Sequence, residues 1–280
     1  MILPRAAVDH RAVAAHYDDL DDLYRGIWGT SVHHGYWITG KESAEEAIVN
    51  LTHLVARHAA LKPGDRVCDL GCGYGAAALV WRRDYGARVT GITISEKQYR
   101  YAKANAAGDA DVDFVLGDAL ESGLISESFD AVTAIESAEH MPDKQKFLRE
   151  AHRLLRPGGR CVVVPWLSRE QPGKWESRRI LQPICDEGRL PSLPSASEYR
   201  KLLDRAGFHQ VDYLDLTASV KKTWSICAGR FIARFVTDSA LRRRVRDPNF
   251  TNGIFAKTVF RIWLAYRIGS MRLGLFTALK

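Results

Sequence analysis

The sequence predicts an α/β fold in which a parallel sheet is covered by helices on both faces. Apolar runs typical of strands alternate with helical patterns through the middle of the chain, the order that builds βαβ units. The first of these strands runs into a turn with glycine at every second position, at Gly71, Gly73 and Gly75. In an α/β sheet such a turn lies at the carboxyl edge, where ligands bind.

Each element follows from its own local pattern. Helical spacing opens the chain at 5–30 and 42–60, the second helix ending before Pro63-Gly64. Pro157-Gly158-Gly159 is expected to break the chain before the fifth strand. Strands are predicted at 66–70, 88–94, 112–116, 129–135, 160–165, 209–216 and 271–279. Helices are predicted between them at 75–85, 96–107, 143–155 and 195–206.

These elements divide the chain into four segments. Residues 1–60 are expected to form an N-terminal helical cap, and 61–216 a Rossmann-like core that binds the cofactor. Residues 217–270 show helical spacing and are expected to form a lid over the substrate, and 271–280 return to the core as its final strand. A chain of 280 residues with 46% hydrophobic content is large enough to bury a full core.

The positive charge is concentrated at the C-terminus. Residues 221–280 hold 13 Lys and Arg against 2 Asp, a net charge of +11, whereas the rest of the chain carries −4. This segment could contact an anionic membrane surface. A nucleic-acid partner is disfavoured because the basic residues are interleaved with apolar residues suited to burial.

Two further features bear on location. We see neither a signal peptide nor an apolar run long enough to span a bilayer. The five cysteines form no Cys-x-x-Cys pair, so a disulfide framework is not expected. The sequence therefore predicts a cytoplasmic protein, with peripheral membrane contact as an additional expectation, and leaves the oligomeric state open.

Three loops at the carboxyl edge are expected to bind the cofactor. Asp69 stands two residues before the first glycine, and no Gly-x-x-Gly spacing follows, which favours S-adenosylmethionine over a dinucleotide. The tip of the second strand offers Thr93 and Ile94, with Gln98 one turn into the next helix, suited to ribose hydroxyls. After the third strand, Asp118 could accept a hydrogen bond from an adenine amino group.

A fourth loop, at 135–142, places Glu136, Glu139 and His140 within five residues. Methyl transfer from a sulfonium is an in-line displacement that needs alignment and often removal of a proton from the nucleophile. Histidine side chains ordinarily titrate near neutrality, so His140 fits a general base, and a glutamate whose pKa is raised by burial is its rival. The sequence does not decide between them.

The N-terminal segment is dense in aromatic and polar side chains. Such groups could form a lid over a cationic donor, because aromatic faces attract a sulfonium, or could simply anchor the N-terminal helices in the core. A metal at His33-His34 is not expected, because adjacent side chains diverge and no third ligand is evident. The residues concerned are Tyr17, Tyr24, Trp28, His34 and Trp37, and the last four are also expected to contact the substrate.

The C-terminal segment carries one apolar helical stripe, Phe255, Val259, Ile262 and Tyr266, flanked by basic residues. This spacing fits an amphipathic helix that closes over the core. It also fits the mouth of a site for a lipophilic substrate.

Together these motifs resemble class I S-adenosylmethionine-dependent methyltransferases. The resemblance lies in the glycine turn, in Gly91–Ser95 and in Arg156–Gly159. The runs Trp28–Trp37 and Glu136–Lys144 narrow it to the γ-tocopherol methyltransferase group and the sterol and isoprenoid C-methyltransferases around it. The match covers residues 16–216.

The resemblance implies a seven-stranded sheet whose last strand is antiparallel. It also implies a role for each matching position. Tyr17, Gly71 and Gly73 would contact the methionine end of the donor, Thr93 and Gln98 the ribose, and Asp118 and Ala119 the adenine, with Ile94 and Ile135 beside them. Glu136 and His140 would face the acceptor. The tryptophan after the fifth strand, Trp166, is kept and is a further expected substrate contact.

The predicted function is methyl transfer from S-adenosylmethionine to carbon on a lipophilic aromatic or isoprenoid small molecule, assisted by Glu136 and His140. The alternative is an N- or O-methyltransferase of an alkaloid or other secondary metabolite. Remote alternatives are an RNA methyltransferase and a non-catalytic donor-binding protein.

Overall fold

In a computed structural model, the chain folds around a mixed β-sheet that places the predicted loops along one edge. The structure describes residues 1–8, 13, 15, 17–19, 21, 25–26, 29, 31–239, 242–243 and 255–280. Among residues 9–30, the described positions between 13 and 26 are helical, as predicted, whereas residues 5–8 are not helical, so the predicted start of this helix at residue 5 is wrong. The strands are β1 Arg66–Leu70, β2 Arg88–Thr93, β3 Val112–Leu116, β4 Phe129–Ile135, β5 Leu155–Val164, β6 Trp166–Ser168, β7 His209–Asp215 and β8 Met271–Leu279.

The sheet has the order β3-β2-β1-β4-β5-β8, with β7 on the far side of β8. Strands β1 to β5 pair in parallel, and β8 runs antiparallel to β5 and β7. Strands β5 and β6 pair with β8 in one continuous register. They are therefore a single strand that is interrupted at Pro165. Proline has no N–H for the ladder. The predicted seven-stranded architecture with an antiparallel last strand is confirmed.

The fifth strand begins earlier than predicted. Leu155 already pairs with Phe129, and Arg160 pairs with Ala131, so Pro157-Gly158-Gly159 lies inside the strand as a bulge and does not precede it. Gly158 has a φ of 77°, a conformation that glycine adopts without steric cost. The extra residues therefore bulge outward and leave the pairing of both ends intact.

The helices begin at capping side chains that the sequence supplies. The hydroxyls of Ser43, Ser95 and Ser195 and the carboxylate of Asp143 each accept a hydrogen bond from the first turn of the helix that follows. The helices are α1 Ala44–His58, α2 Ala76–Tyr85, α3 Glu96–Asn105, α4 Lys144–Leu154, α5 Lys174–Glu176, a π-helical turn Ser177–Leu181, α6 Gln182–Glu187, α7 Ala196–Arg205, α8 Thr217–Val220, α9 Lys222–Thr237 and α10 Phe255–Arg267.

Two hydrophobic layers enclose the sheet. Alternate residues of the central strands point to opposite layers, as Val67 and Cys68 of β1 do. Trp81 of α2 is fully buried in one layer, and Phe147 of α4 and Tyr199 of α7 in the other. This arrangement leaves the carboxyl edge of the parallel strands free to form a site.

Helices α9 and α10 of the C-terminal segment pack against each other. The predicted stripe of α10 faces inward, since Val259, Ile262 and Tyr266 are buried; the side chain of Phe255 lies outside the described residues. No helix in the described part of the chain is long and apolar enough to cross a membrane. The segment therefore closes over the core as an amphipathic helical pair.

Candidate active site

The glycine turn after β1 brings the backbone close to the loop that follows β4. Gly71 has a φ of 85° and donates its N–H to the Ile92 carbonyl at 2.9 Å. A Cβ at Gly71 would lie 2.3 Å from the Cβ of Ser137, whereas a Cβ at Gly73 would meet open space. Gly71 thus closes the turn against its neighbour, and Gly73 leaves room for a ligand to approach the backbone.

A cavity of about 980 Å³, partly open to solvent, lies over this turn. It is lined by the ends of β1, β2 and β4 and by the start of α2. All ten residues that the sequence assigns to the cofactor line it: Tyr17, Asp69, Gly71, Gly73, Thr93, Ile94, Gln98, Asp118, Ala119 and Ile135.

Asp69 is the buried carboxyl group of this first cavity. Its Oδ1 accepts a hydrogen bond from the Thr133 hydroxyl at 3.2 Å. Burial raises the pKa of Asp69 to about 7, against a smaller lowering by that hydrogen bond. Because burial disfavours the charged form of this carboxyl group, a cationic ligand beside it would stabilise the carboxylate.

The polar groups at the tip of β2 and after β3 are held in place by local hydrogen bonds. The Thr93 hydroxyl donates to Gln98 Oε1 at 2.8 Å, and Gln98 donates its backbone N–H to Ser95 Oγ at 3.2 Å. Asp118 Oδ1 accepts the backbone N–H of Leu120 at 2.8 Å. These side chains meet the cavity already oriented, which reduces the entropy lost when a ligand binds.

A second cavity, of about 600 Å³, adjoins the first. Its apolar wall combines Trp166 after β5, Leu190, Trp224 of α9 and Ile262 of α10. The walls common to both cavities are Tyr17, Val32, His33, Glu136 and His140. The loop after β4 therefore separates a polar cavity from a more apolar one.

Glu136 is an anion whose two oxygens are already engaged. Oε1 accepts the backbone N–H of His34 at 2.7 Å, and Oε2 accepts the ring N–H groups of His34 and Trp166, each at 2.7 Å. Burial by itself raises the pKa of Glu136, but His34 and these donors outweigh it and hold the pKa below its usual value. Its φ is 49°, an unusual conformation for a residue with a side chain.

His34 connects this carboxylate to the C-terminal segment. The indole N–H of Trp224 reaches His34 Nε2 at 2.6 Å. An indole N–H can only donate, so Nε2 accepts and the proton of the imidazole is on Nδ1, facing Glu136. The hydrogen bonds that join Trp224 to His34 and His34 to Glu136 fix one tautomer of His34. They also attach α9 to the loop after β4.

His140 lies where the two cavities meet. Its Nδ1 is 3.4 Å from the Arg189 carbonyl oxygen, and its Nε2 is 2.8 Å from the Tyr17 hydroxyl. Because a carbonyl oxygen accepts, Nδ1 carries the proton and Nε2 offers a lone pair to the hydroxyl. The imidazole is thus arranged to accept a proton from a hydroxyl group.

Glu139 lines the second cavity and is 1% exposed. Its Oε2 has no hydrogen-bond partner among the described residues. Burial and then the charge of Glu136 raise the pKa of Glu139 well above its usual value. Lys144 Nζ donates instead to the carbonyl oxygens of Glu139 and Met141, at 3.0 and 3.3 Å, which secures the backbone on both sides of His140.

His33 was not among the predicted site residues, yet it lines both cavities. Its Nδ1 donates to the His34 carbonyl at 2.9 Å, and its Nε2 finds no partner in the described part of the chain. Burial lowers the pKa of His33, so the ring is neutral and Nε2 presents a lone pair. Adjacent histidines before an aromatic run could have indicated this role.

The predicted substrate residues separate into three groups. His34 and Trp166 line the second cavity. Trp37 donates its indole N–H to the Glu42 carbonyl at 3.1 Å and borders a different pocket beside α1 and α9, so we do not retain it as a substrate contact. Tyr24 and Trp28 lie outside the described residues. No group of three or more metal-ligating side chains occurs among the residues described.

Comparison with known proteins agrees with this site. A family model described as "Methyltransferase domain" matches residues 68–163, from β1 into β5. The chain is 37% identical over 219 residues to the 27-O-demethylrifamycin SV methyltransferase of Amycolatopsis mediterranei (strain S699), a match that covers 77% of this chain and 80% of that protein. The chain therefore belongs to the family of S-adenosylmethionine-dependent methyltransferases, and S-adenosylmethionine is its cofactor.

Two further relatives define its place in that family. The chloroplastic tocopherol O-methyltransferase of Arabidopsis thaliana is 31% identical, over 76% of this chain and 67% of that protein. The crystal structure of the [4+2]-cyclase SpnF has a TM-score of 0.82 and 28% sequence identity, covering 100% of this chain and 99% of that one. The predicted resemblance to the tocopherol group is confirmed.

Proposed function

We propose that this chain transfers the methyl group of S-adenosylmethionine to a lipophilic small molecule bound in the second cavity, with His140 as the general base. The observation that carries the proposal is the position of His140, whose imidazole lines both cavities. A base placed there can reach a nucleophile that faces the donor. The predicted division into a cap over 1–60, a core over 61–216 and a lid over 217–270 belongs to the same proposal.

The first cavity fits the donor in its chemistry. Asp69 would hold the cationic methionine end, next to the backbone of Gly71 and Gly73. Thr93 and Gln98 would bind the ribose hydroxyls, and Asp118 the adenine amino group. When bound, the donor supplies an electrophilic methyl group on a sulfonium, and these residues orient it toward the second cavity.

His140 supports the proposal better than Glu136 does. Each Glu136 oxygen already accepts hydrogen bonds, and its lowered pKa makes it a weak proton acceptor. His140 keeps a lone pair on Nε2, which the Tyr17 hydroxyl occupies at 2.8 Å. An acceptor hydroxyl would take the place of that phenol, give its proton to Nε2 and become a stronger nucleophile.

We propose oxygen as the methylated atom, and carbon as the second candidate. The relatives at 37% and 31% identity are named for transfer to oxygen, whereas the resemblance to C-methyltransferases predicts carbon. A phenolate formed by His140 is nucleophilic at oxygen and at the ring carbons beside it, so the same base serves both outcomes. Nuclear magnetic resonance of the product distinguishes an O-methyl from a C-methyl group.

The test is transfer of labelled methyl from S-adenosylmethionine into prenylated quinols, amine alkaloids and prenyl diphosphates, read by mass spectrometry. His140→Gln should lower turnover by roughly a hundredfold or more while donor affinity stays the same. His209→Gln, an exposed histidine of β7 outside both cavities, is the matched control. Unchanged turnover in His140→Gln would refute the assignment of the base.

We also propose that residues 221–280 make peripheral contact with an anionic membrane. The outer face of α10 exposes Phe260 and Leu264, Ile268 is exposed just after it, and α9 exposes Ile232 and Val236. Basic side chains share this surface, and α9 and α10 contain no acidic residue. An apolar face with cationic neighbours suits the interface of an anionic bilayer.

A further inference from the structure

Two buried polar atoms beside the second cavity have no assigned role. His33 Nε2 and Glu139 Oε2 are both without a hydrogen-bond partner among the described residues, and both residues line this cavity. A buried polar atom that makes no hydrogen bond costs about 1–3 kcal/mol. Such a cost is recovered if a ligand supplies the missing partner.

The two groups are complementary in their hydrogen-bonding capacity. His33 donates from Nδ1 to the His34 carbonyl, which leaves Nε2 as an acceptor. Glu139 forms no ion pair with a described residue, since Lys144 Nζ donates to backbone carbonyls, and burial raises the pKa of Glu139 more than the charge of Lys144 lowers it. Burial therefore favours the protonated form of this carboxyl group, which can both donate and accept a hydrogen bond.

The remaining lining of the second cavity offers little to a charged ligand. Among the described lining residues there is no lysine or arginine, the side chains that hold phosphate groups. The one carboxylate, Glu136, already accepts three hydrogen bonds. Neither a diphosphate nor an ammonium finds a free counter-charge there.

We infer that His33 and Glu139 form an uncharged polar subsite that binds an oxygen function of the acceptor, a hydroxyl or a carbonyl group, other than the one that faces His140. The acceptor class is then a neutral oxygenated molecule with an apolar body, and the subsite selects against diphosphates and amines. This inference rests on the proposed function, because it takes the second cavity as the acceptor site.

The test measures binding and does not depend on turnover. Four probes share one prenyl chain: a prenylated hydroquinone, its dimethyl ether, the prenyl diphosphate and the prenylamine. Binding is followed by equilibrium dialysis, and by tryptophan fluorescence because Trp166 and Trp224 line the cavity. Wild type should bind the hydroquinone about tenfold more tightly than its ether, the effect of one or two lost hydrogen bonds, and more tightly than either charged probe.

Variants of His33 and Glu139 test whether these two residues cause the preference for the hydroquinone over its ether. His33→Phe and Glu139→Leu should each reduce the ratio of hydroquinone to ether affinity several-fold. Glu139→Gln should restore most of it, because an amide donates and accepts as a protonated carboxyl group does. Melting temperature and donor affinity show that each variant is folded.

Three results would overturn the inference. They are a wild type that does not distinguish the hydroquinone from its ether, tighter binding of either charged probe, and a Glu139→Gln variant as impaired as Glu139→Leu. Labelled methyl transfer on the same samples tests the proposed function separately. Methylation of the hydroquinone with no change of the affinity ratio in the variants would leave the proposed function standing and refute the subsite.

Discussion

At the scale of single residues, the two carboxyl groups of the loop after β4 have opposite environments. Glu136 accepts three hydrogen bonds and stays ionised, whereas Glu139 has an oxygen with no partner in the described chain, and burial raises its pKa well above the usual value. Three positions in sequence separate them. Their environments differ because only Glu136 receives donors from two other parts of the chain, at His34 and Trp166.

Glu136→Gln is expected to loosen this network. An amide has only one acceptor oxygen, so its NH₂ group would face an N–H donor of His34 or Trp166. The mismatch should cost about 1–3 kcal/mol in the free energy of unfolding and weaken acceptor binding more than donor binding. Urea denaturation and binding titrations measure both. A variant of wild-type stability that has lost only turnover would show that Glu136 acts chemically, as the sequence allowed.

Asp69 should make donor affinity depend on pH. Its pKa is raised to about 7 without ligand, and a bound cation favours the carboxylate. Donor binding should therefore release protons below pH 7, and affinity should rise as the pH increases toward and through 7. Calorimetry in buffers of different ionisation enthalpy measures this release. Asp69→Asn should bind the donor with less dependence on pH; an equally steep profile would assign the effect to another group.

The same raised pKa has a consequence for stability. Between the unfolded pKa near 4 and the folded value near 7, the folded state holds the extra proton, so this contribution to stability is lost as the pH rises through that interval. Asp69 thus weakens the donor-free protein at high pH. A residue of this kind fits a site that a cationic ligand completes.

At the scale of elements, the site depends on the close approach of two loops. The turn after β1 and the loop after β4 touch at Gly71 and Ser137, and the Ser137 hydroxyl donates to the Leu70 carbonyl at 2.6 Å. The parallel pairing of β1 with β4 brings the two loops side by side. The contact therefore joins the turn beneath the first cavity to the loop that lies between the two cavities.

A comparison of the variants Gly71→Ala and Gly64→Ala separates the stability lost through backbone strain from the stability lost at the contact with Ser137. Both glycines have a similar φ, 85° and 87°, so both variants should lose about 1–2 kcal/mol of stability from a left-handed alanine. A Cβ at Gly64 meets open space, whereas at Gly71 it overlaps Ser137, which should add about 1–3 kcal/mol. Gly71→Ala alone should weaken donor binding. Equal losses of stability in the two variants would mean that Ser137 moves away from the added methyl group at no cost.

At the scale of the whole molecule, the C-terminal segment completes the wall of the second cavity from outside the core. Trp224 of α9 bonds to His34, and Ile262 of α10 lines the second cavity. The opposite face of α10 exposes an apolar stripe. The same helix thus faces the cavity on one side and solvent on the other, an arrangement suited to an acceptor that arrives from a lipid phase.

A double variant that combines Phe260→Ser and Leu264→Ser should not bind anionic vesicles. Wild type should sediment with phosphatidylglycerol vesicles at low salt and less so at high salt, because screening weakens the attraction of the basic segment. Ile125→Ser changes another exposed apolar residue outside this segment and should bind as wild type does. Absence of wild-type binding at low salt would remove the membrane proposal and leave the enzymatic one untouched.

The sequence by itself determined the order of the core strands and helices, the glycine turn and the residues that line the first cavity. These features depend on local patterns, since alternation, capping serines and glycine spacing act over a few residues. It could not show that Glu136 is paired through both oxygens, place His33 in the cavity wall, or relate Trp224 to His34, and it misplaced the start of β5. Those depend on contacts between segments more than a hundred residues apart, such as His34 with Glu136 and Trp224. Only the folded chain decides which carboxyl group is paired, because pairing and burial are properties of tertiary structure.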